Sequence, residues 1–206
     1  MKLRFLILCF LTLSFTHSFG QDKVYFNQTE LGISFGNSDD IWTGENIKRR
    51  DISFITFHGV RITNHHVVGM SVGFDQYESL EVIPFAIGWR GFLGKGNKPQ
   101  LIGGFDFGGG SVPFEDKEVT DWYENYYKGG LMLSPSIGAK FPFLKGNNSL
   151  TMTLAYKRQE LGYFTGFFEQ GTNSRPVTSQ LPPGYSSITE TSYLFHSLVG
   201  RIGFMF

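Results

Sequence analysis

Read in steps of two, the chain separates again and again into an apolar face and a small or polar one. From Glu30 to Gly36, Leu31, Ile33 and Phe35 alternate with Glu30, Gly32, Ser34 and Gly36, which is the period of a half-buried strand and not of a helix. The pattern returns in Val68, Met70, Val72 and Phe74, and in Ile83, Phe85, Ile87 and Trp89. It continues through Leu101, Phe105 and Phe107, then Leu131, Leu133, Ile137 and Phe141, then Leu150, Met152, Leu154 and Tyr156. The last run sets Leu198, Ile202, Phe204 and Phe206 against Ser197, Arg201, Gly203 and Met205. One further segment, Ile52 to Ile62, is blurred: Ile55 and Phe57 share a face with Arg61, while Phe54, Val60 and Ile62 hold the other. A bulge is expected there. Pro84 and Pro135 lack a ladder donor and require a bulge or a water-accessible place. Eight antiparallel strands result.

The second face discriminates between architectures. In a water-soluble sandwich it meets solvent and is rich in Lys, Glu, Thr and Gln. Here it is mostly Gly, Ser and Ala with scattered charges, which suits the narrow lumen of a barrel whose apolar face looks out to lipid. A soluble barrel that carries a lipid inside would need bulky apolar residues on that face, which the alternating segments lack. The links expected at 37–51, 111–129 and 159–191 are long and that at 75–80 is moderate, while those at 63–66, 94–99 and 144–148 are short. Short and longer links alternate, as in an up-and-down transmembrane barrel with tight periplasmic turns and longer extracellular loops.

Residues 1–20 read as an export signal, with Lys2 and Arg4 before the apolar run Phe5 to Phe15 and cleavage before Gln21. Residues 21–206 then form one barrel domain of the cell outer membrane, in contact with its lipids. The 206 residues hold 18 basic and 18 acidic side chains. Removing Lys2 and Arg4 leaves 16 basic groups, a formal charge of −2 that gives no purchase on nucleic acid. Cys9 leaves with the signal, so neither a disulfide framework nor a thiolate metal site is expected.

The terminal residues Arg201-Ile202-Gly203-Phe204-Met205-Phe206 resemble the closing strand of bacterial outer-membrane barrels. That resemblance makes Ile202, Phe204 and Phe206 an assembly signal read by the barrel-assembly machinery. Phe105-Asp106-Phe107-Gly108, Ser136-Ile137-Gly138-Ala139-Lys140-Phe141 and Leu154-Ala155-Tyr156-Lys157 are similar to strands of the small porin-like, PorT-like barrels of Bacteroidota. The resemblance covers the mature chain and implies architecture more than activity.

Candidate chemistry lies inside and above this barrel. Arg61, Arg90, Lys140 and Arg201 fall on the second face near the inner ends of their strands, with Lys157 further out and Glu30, Asp75 and Asp106 as counter-charges. Five cations against three acids lead us to expect a salt-bridged interior whose periplasmic half is wet or holds an anion; a narrow anion-favouring channel is the sharper alternative. His196 and Ser197 suggest a lipid-modifying barrel enzyme, but neighbours in a strand point to opposite faces and cannot pair. His58, His65 and His66 carry no clearer catalytic signal. Asp39-Asp40 and Glu115-Asp116 lack the ligand alternation of a calcium loop, and Gly103-Gly104 and Gly108-Gly109-Gly110 precede no helix that would make them a phosphate loop. No metal, cofactor or enzymatic activity is therefore expected. The acidic link 111–129 carries Trp122, Tyr123, Tyr126 and Tyr127, a candidate surface for an extracellular protein or glycan.

Overall fold

The computed structural model describes residues 25–39, 46–77, 80–94, 98–114, 117–143, 148–169 and 181–206; the expected signal lies outside them. The strands are β1 (Tyr25–Asp39), β2 (Asn46–Thr63), β3 (His66–Tyr77), β4 (Leu80–Leu93), β5 (Gln100–Ser111), β6 (Glu118–Val119), β7 (Tyr123–Pro142), β8 (Ser149–Phe168) and β9 (Tyr185–Met205). All neighbours are antiparallel. Eight long strands form a closed ring, sealed where β1 pairs with β9 and β5 with β7. Asn27 and Phe206 complete the terminal seam by exchanging backbone hydrogen bonds of 2.9 and 3.0 Å. Closure leaves every strand of the ring with two partners, the condition for backbone to cross hydrocarbon. The ninth strand, β6, has two residues and pairs with β7 alone.

The strands run further than their alternation suggested, and this changes the links. The connection expected at 37–51 contracts to 40–45, and that at 75–80 to two residues, so link length does not alternate strictly. The asymmetry between the two ends is built from strand instead. β1 stays paired with β9 only as far as Asn37 opposite His196, whereas β8 and β9 remain paired up to Phe168 opposite Tyr185. The outer parts of β7, β8 and β9, with β6, therefore continue past the ring as a sheet. Their aromatic pairs favour this: Tyr126 stacks on Phe164 at 5.3 Å, Tyr127 lies 4.7 Å from Tyr163, and Tyr123 lies 6.3 Å from Phe167.

The expected bulge falls at the very end of the blurred stretch, at Ile62, and does not account for its mixed faces. Its register with β1 is unbroken from Asn46 to Val60, and it shifts against β3 only between Arg61 and Thr63, beside the turn. Both faces of β2 are apolar because Ile55 and Phe57 point into the lumen, where both are buried. The two prolines take a different solution from a bulge. β3–β4 pairing lapses between Val72–Phe85 and Asp75–Val82, around Pro84, and β7–β8 pairing lapses between Leu133–Arg158 and Ser136–Ala155, around Pro135, with the register unchanged on either side.

Outside the ring the greasy side chains stand free: Phe105, Ile137 and Phe204 are 40%, 56% and 58% exposed. A charge facing lipid at the bilayer midplane costs about 2–4 kcal/mol, so the first outward charges, Arg50 on β2, Glu81 on β4 and Arg158 on β8, lie at the external edge of the hydrocarbon.

Candidate functional site: a filled lumen and an external sheet

Alternation sends every second residue of each strand inward, and what those residues do depends on height. At the end that carries the termini, Phe26, Phe57, Val67, Phe92, Ile102 and Met205 are buried against one another. Phe26 meets Phe57 and Phe92 edge-on at 5.8 and 5.7 Å, a favourable aromatic geometry. This corrects two expectations. Where a wet or anion-holding periplasmic half was expected, the lumen is packed with apolar side chains, and bulky apolar residues do occur on the second face. They fill the interior with one another. Arg61 and Lys140 are only half-buried and lie over the plug, Arg61 with its guanidinium 5.1 Å from the Phe26 ring and Lys140 with its ammonium 5.8 Å from that of Phe92.

Above the plug lies an ionic belt. Arg90 donates from Nη1 and Nη2 to the two carboxylate oxygens of Asp106, at 3.0 Å each, and from Nε to Gln28 Oε1 at 3.2 Å. Gln28 Nε2 donates to Glu30 at 2.8 Å, and Glu30 also accepts from the hydroxyls of Thr151 and Thr153 at 2.9 and 3.2 Å. Ser71 adds a bond to Asp106 at 3.2 Å, and the Arg90 guanidinium rests 4.2 Å above the Phe57 ring. Lys157 is ion-paired with Asp75, and Arg49 with Asp51. Glycine makes the room: a Cβ at Gly88 would stand 2.3 Å from Asp106 Oδ1, and one at Gly104 would stand 3.1 Å from Arg90 Cδ.

Among the described residues the buried charges balance. Arg49, Arg90, Lys157 and Arg201 face Glu30, Asp51, Asp75 and Asp106, all at most 6% exposed. The cation surplus expected from the sequence disappears because Arg61 and Lys140 move to the mouth while Arg49 and Asp51 join the interior as a pair. Arg49 and Asp51 had been placed in a link; continuing the alternation from Phe57 through Ile55 and Ser53 would have found them. The belt still has orphans, among them Arg201 Nε, Ser34 Oγ and Ser53 Oγ. Above it a second apolar layer of Tyr77, Val82 and Leu161 packs with Tyr193 and Phe195, and Arg49 lies over Tyr77 and Phe195 at 4.5 and 4.6 Å.

His196 and Ser197 stand on opposite sides of the wall. His196 bonds outward to Tyr156 Oη at 2.5 Å, while Ser197 accepts from Arg49 Nη2 inside at 2.9 Å. His58 belongs to an outward network with Tyr25, Asn27 and Thr56, and His66 stacks on Trp89 at 5.7 Å. Among the described residues the side-chain hydroxyls that these rings reach are those of Tyr25, Thr56 and Tyr156, not that of Ser197.

The four aromatics proposed as one loop surface are dispersed. Three of them lie in β7, where Tyr123 and Tyr127 face the barrel axis and Tyr126 faces outward; Trp122 sits at the turn before the strand, 62% exposed. Strand alternation separates residues that adjacency in the sequence had grouped. At the tip of the sheet Tyr185 hydrogen-bonds to the Glu124 carboxylate, which, with burial and that same charge, pushes its phenol up to about 12. Ile202, Phe204 and Phe206 lie on the lipid side of β9 or just past it, each exposed.

A closed ring, a greasy outer band and an interior filled at three levels define a membrane-spanning β-barrel of the outer-membrane type. No family model matches the chain, and no curated protein does. Among solved structures it is similar to the outer membrane protein AlkL in lipid bilayers, with 13% identity over 93% of each chain and a TM-score of 0.45. It is also similar to the outer membrane protein OprG from Pseudomonas aeruginosa, with 11% identity over 90% of this chain and 96% of that one and a TM-score of 0.44. The translocator domain of autotransporter NalP from Neisseria meningitidis is 12% identical, covering 100% and 95%, with a TM-score of 0.30.

Proposed function

We infer that the protein is a closed outer-membrane barrel that works by binding at its external sheet and not by passage through its lumen. The observation that carries this is the plug: Phe26, Phe57, Val67, Phe92, Ile102 and Met205 come from six strands and meet in the centre of the ring. A channel would need them to separate, exposing apolar area at about 25 cal/mol per Å². Export by cleavage before Gln21, recognition of the last strand by the assembly machinery and kinship with PorT-like barrels belong to the same reading. So does a structural or ligand-binding role without catalysis, with an extracellular protein or glycan as the partner of the aromatic sheet.

Planar-bilayer recording tests it. The refolded protein gives no steady current, and neither does Phe57→Ala, because the ionic belt and the second apolar layer still close the lumen above the thinned plug. A steady current from the parent protein overturns the reading.

A further inference from the structure

On the outward wall of the external sheet, where β7, β8 and β9 lie side by side, there is a depression of about 500 Å³. Its floor is Gly162, flanked in register by Lys128 and Ser192. Any side chain at 162 would meet the Phe164 ring, since a Cβ there stands 2.7 Å from Phe164 Cε2. Its height is set by the strand below. The outward residues Leu150, Met152, Leu154 and Tyr156 give way to Arg158 and Glu160, ion-paired at 2.8 Å. Charges of this kind stay out of hydrocarbon, so the depression opens into the headgroup layer of the outer leaflet.

We propose that it binds a phosphorylated sugar. Tyr126 stacks on Phe164 from the β7 side at 5.3 Å and 7°, which turns the other face of the Phe164 ring towards β9. There Glu190, its partner in register, stands beside Ser192, whose hydroxyl donates to it at 3.5 Å. A ring face beside a carboxylate and a hydroxyl suits a pyranose, whose C–H face packs on the aromatic while its hydroxyls bond to the polar edge.

The phosphate follows from two ammonium groups. Lys128 lies 4.8 Å from the Phe164 ring and 5.2 Å from that of Tyr126, and Lys117 lies 5.0 Å from Tyr126. Rings hold both, and among the described residues neither is ion-paired, while Glu160 is already matched by Arg158. Two ammonium groups converging on one aromatic stack are free to take an anion.

This assignment rests on the external sheet being the working surface, and its failure would leave the closed lumen untouched. The test uses the full protein in nanodiscs, titrated with a diphosphorylated glucosamine-disaccharide glycolipid, its dephosphorylated form, its deacylated soluble headgroup, and phosphatidylglycerol as an anionic lipid without sugar. The diphosphorylated glycolipid binds in preference to both lipid controls. Lys128→Gln weakens it about tenfold, the loss of one charge-assisted bond, and Gly162→Leu abolishes it. Glu190→Gln, an exposed change of equal size that leaves heat-resistant migration intact, weakens it as well. A soluble headgroup that binds equally well supports a free phosphosugar as the source, and preference for the glycolipid supports the leaflet itself. Equal binding of phosphatidylglycerol, or affinity unmoved by Lys128→Gln and Gly162→Leu, overturns the proposal.

Discussion

The inner end of the lumen and the external sheet use the same residue types for opposite ends. In the plug, Phe26, Phe57 and Phe92 are at most 4% exposed and touch one another across the ring. In the external sheet, Tyr123, Tyr126, Tyr127, Phe164 and Phe167 pair with the adjacent strand only, and Phe167 is 43% exposed. The former are held from all sides and resist change; the latter are held by one neighbour and leave a face for a ligand. Aromatic content alone therefore says nothing about role: closure of the ring decides it, because only inside the ring does an aromatic side chain meet partners across the axis as well as beside it.

The sharpest test of the lumen is to break its belt. Asp106→Ala leaves Arg90 buried without its bidentate partner and is expected to cost about 3–5 kcal/mol in urea unfolding from lipid vesicles. Arg90→Met with Asp106→Leu, which removes both charges, restores most of that loss. A similar loss in single and double variants would mean that packing, not charge, holds the belt. Phe57→Ala follows at about 3 kcal/mol, from the cavity it leaves in the plug.

The external sheet is expected to respond less. Tyr127→Ala removes one cross-strand pair, worth about 1 kcal/mol or less, and Trp122→Ala at the exposed turn changes stability by less than about 0.5 kcal/mol. If Trp122→Ala destabilised as much as Phe57→Ala, the sheet would be part of the folding core and the contrast would fail. The mildest change is Glu124→Gln, read by ultraviolet titration of the phenol. Tyr185 sits at about 12 chiefly because it hydrogen-bonds to the Glu124 carboxylate, so the amide should return it towards 10. The raised value favours the neutral phenol in the folded protein: its contribution is complete below pH 10 and fades as pH rises through 12. A Tyr185 phenol unmoved by Glu124→Gln would show that burial, not the hydrogen bond, holds it up.

The outer wall was legible along the chain because its chemistry is uniform: Leu31, Ile33 and Phe35 need only lipid, and lipid makes the same demand of every strand. The lumen was legible as a face but not as contents. Glu30, Arg90 and Asp106 could be placed inside, but the exchange of Arg61 and Lys140 for the pair Arg49 and Asp51 in the interior depends on where strands end and which residues share a height. The candidate aromatics failed for a simpler reason, since 111–129 was taken as a loop while its second half is strand, and strand parity sends Tyr126 away from Tyr123 and Tyr127.

Alternation by itself thus determined that eight strands cross a membrane and which side of the wall the residues of the seven clear segments take, for parity is a local property of extended backbone. Only the closed ring decided which inward residues meet. Phe26 and Phe92, or Gln28 and Arg90, are brought together by the stagger between strands that closure imposes, and no local pattern encodes that stagger.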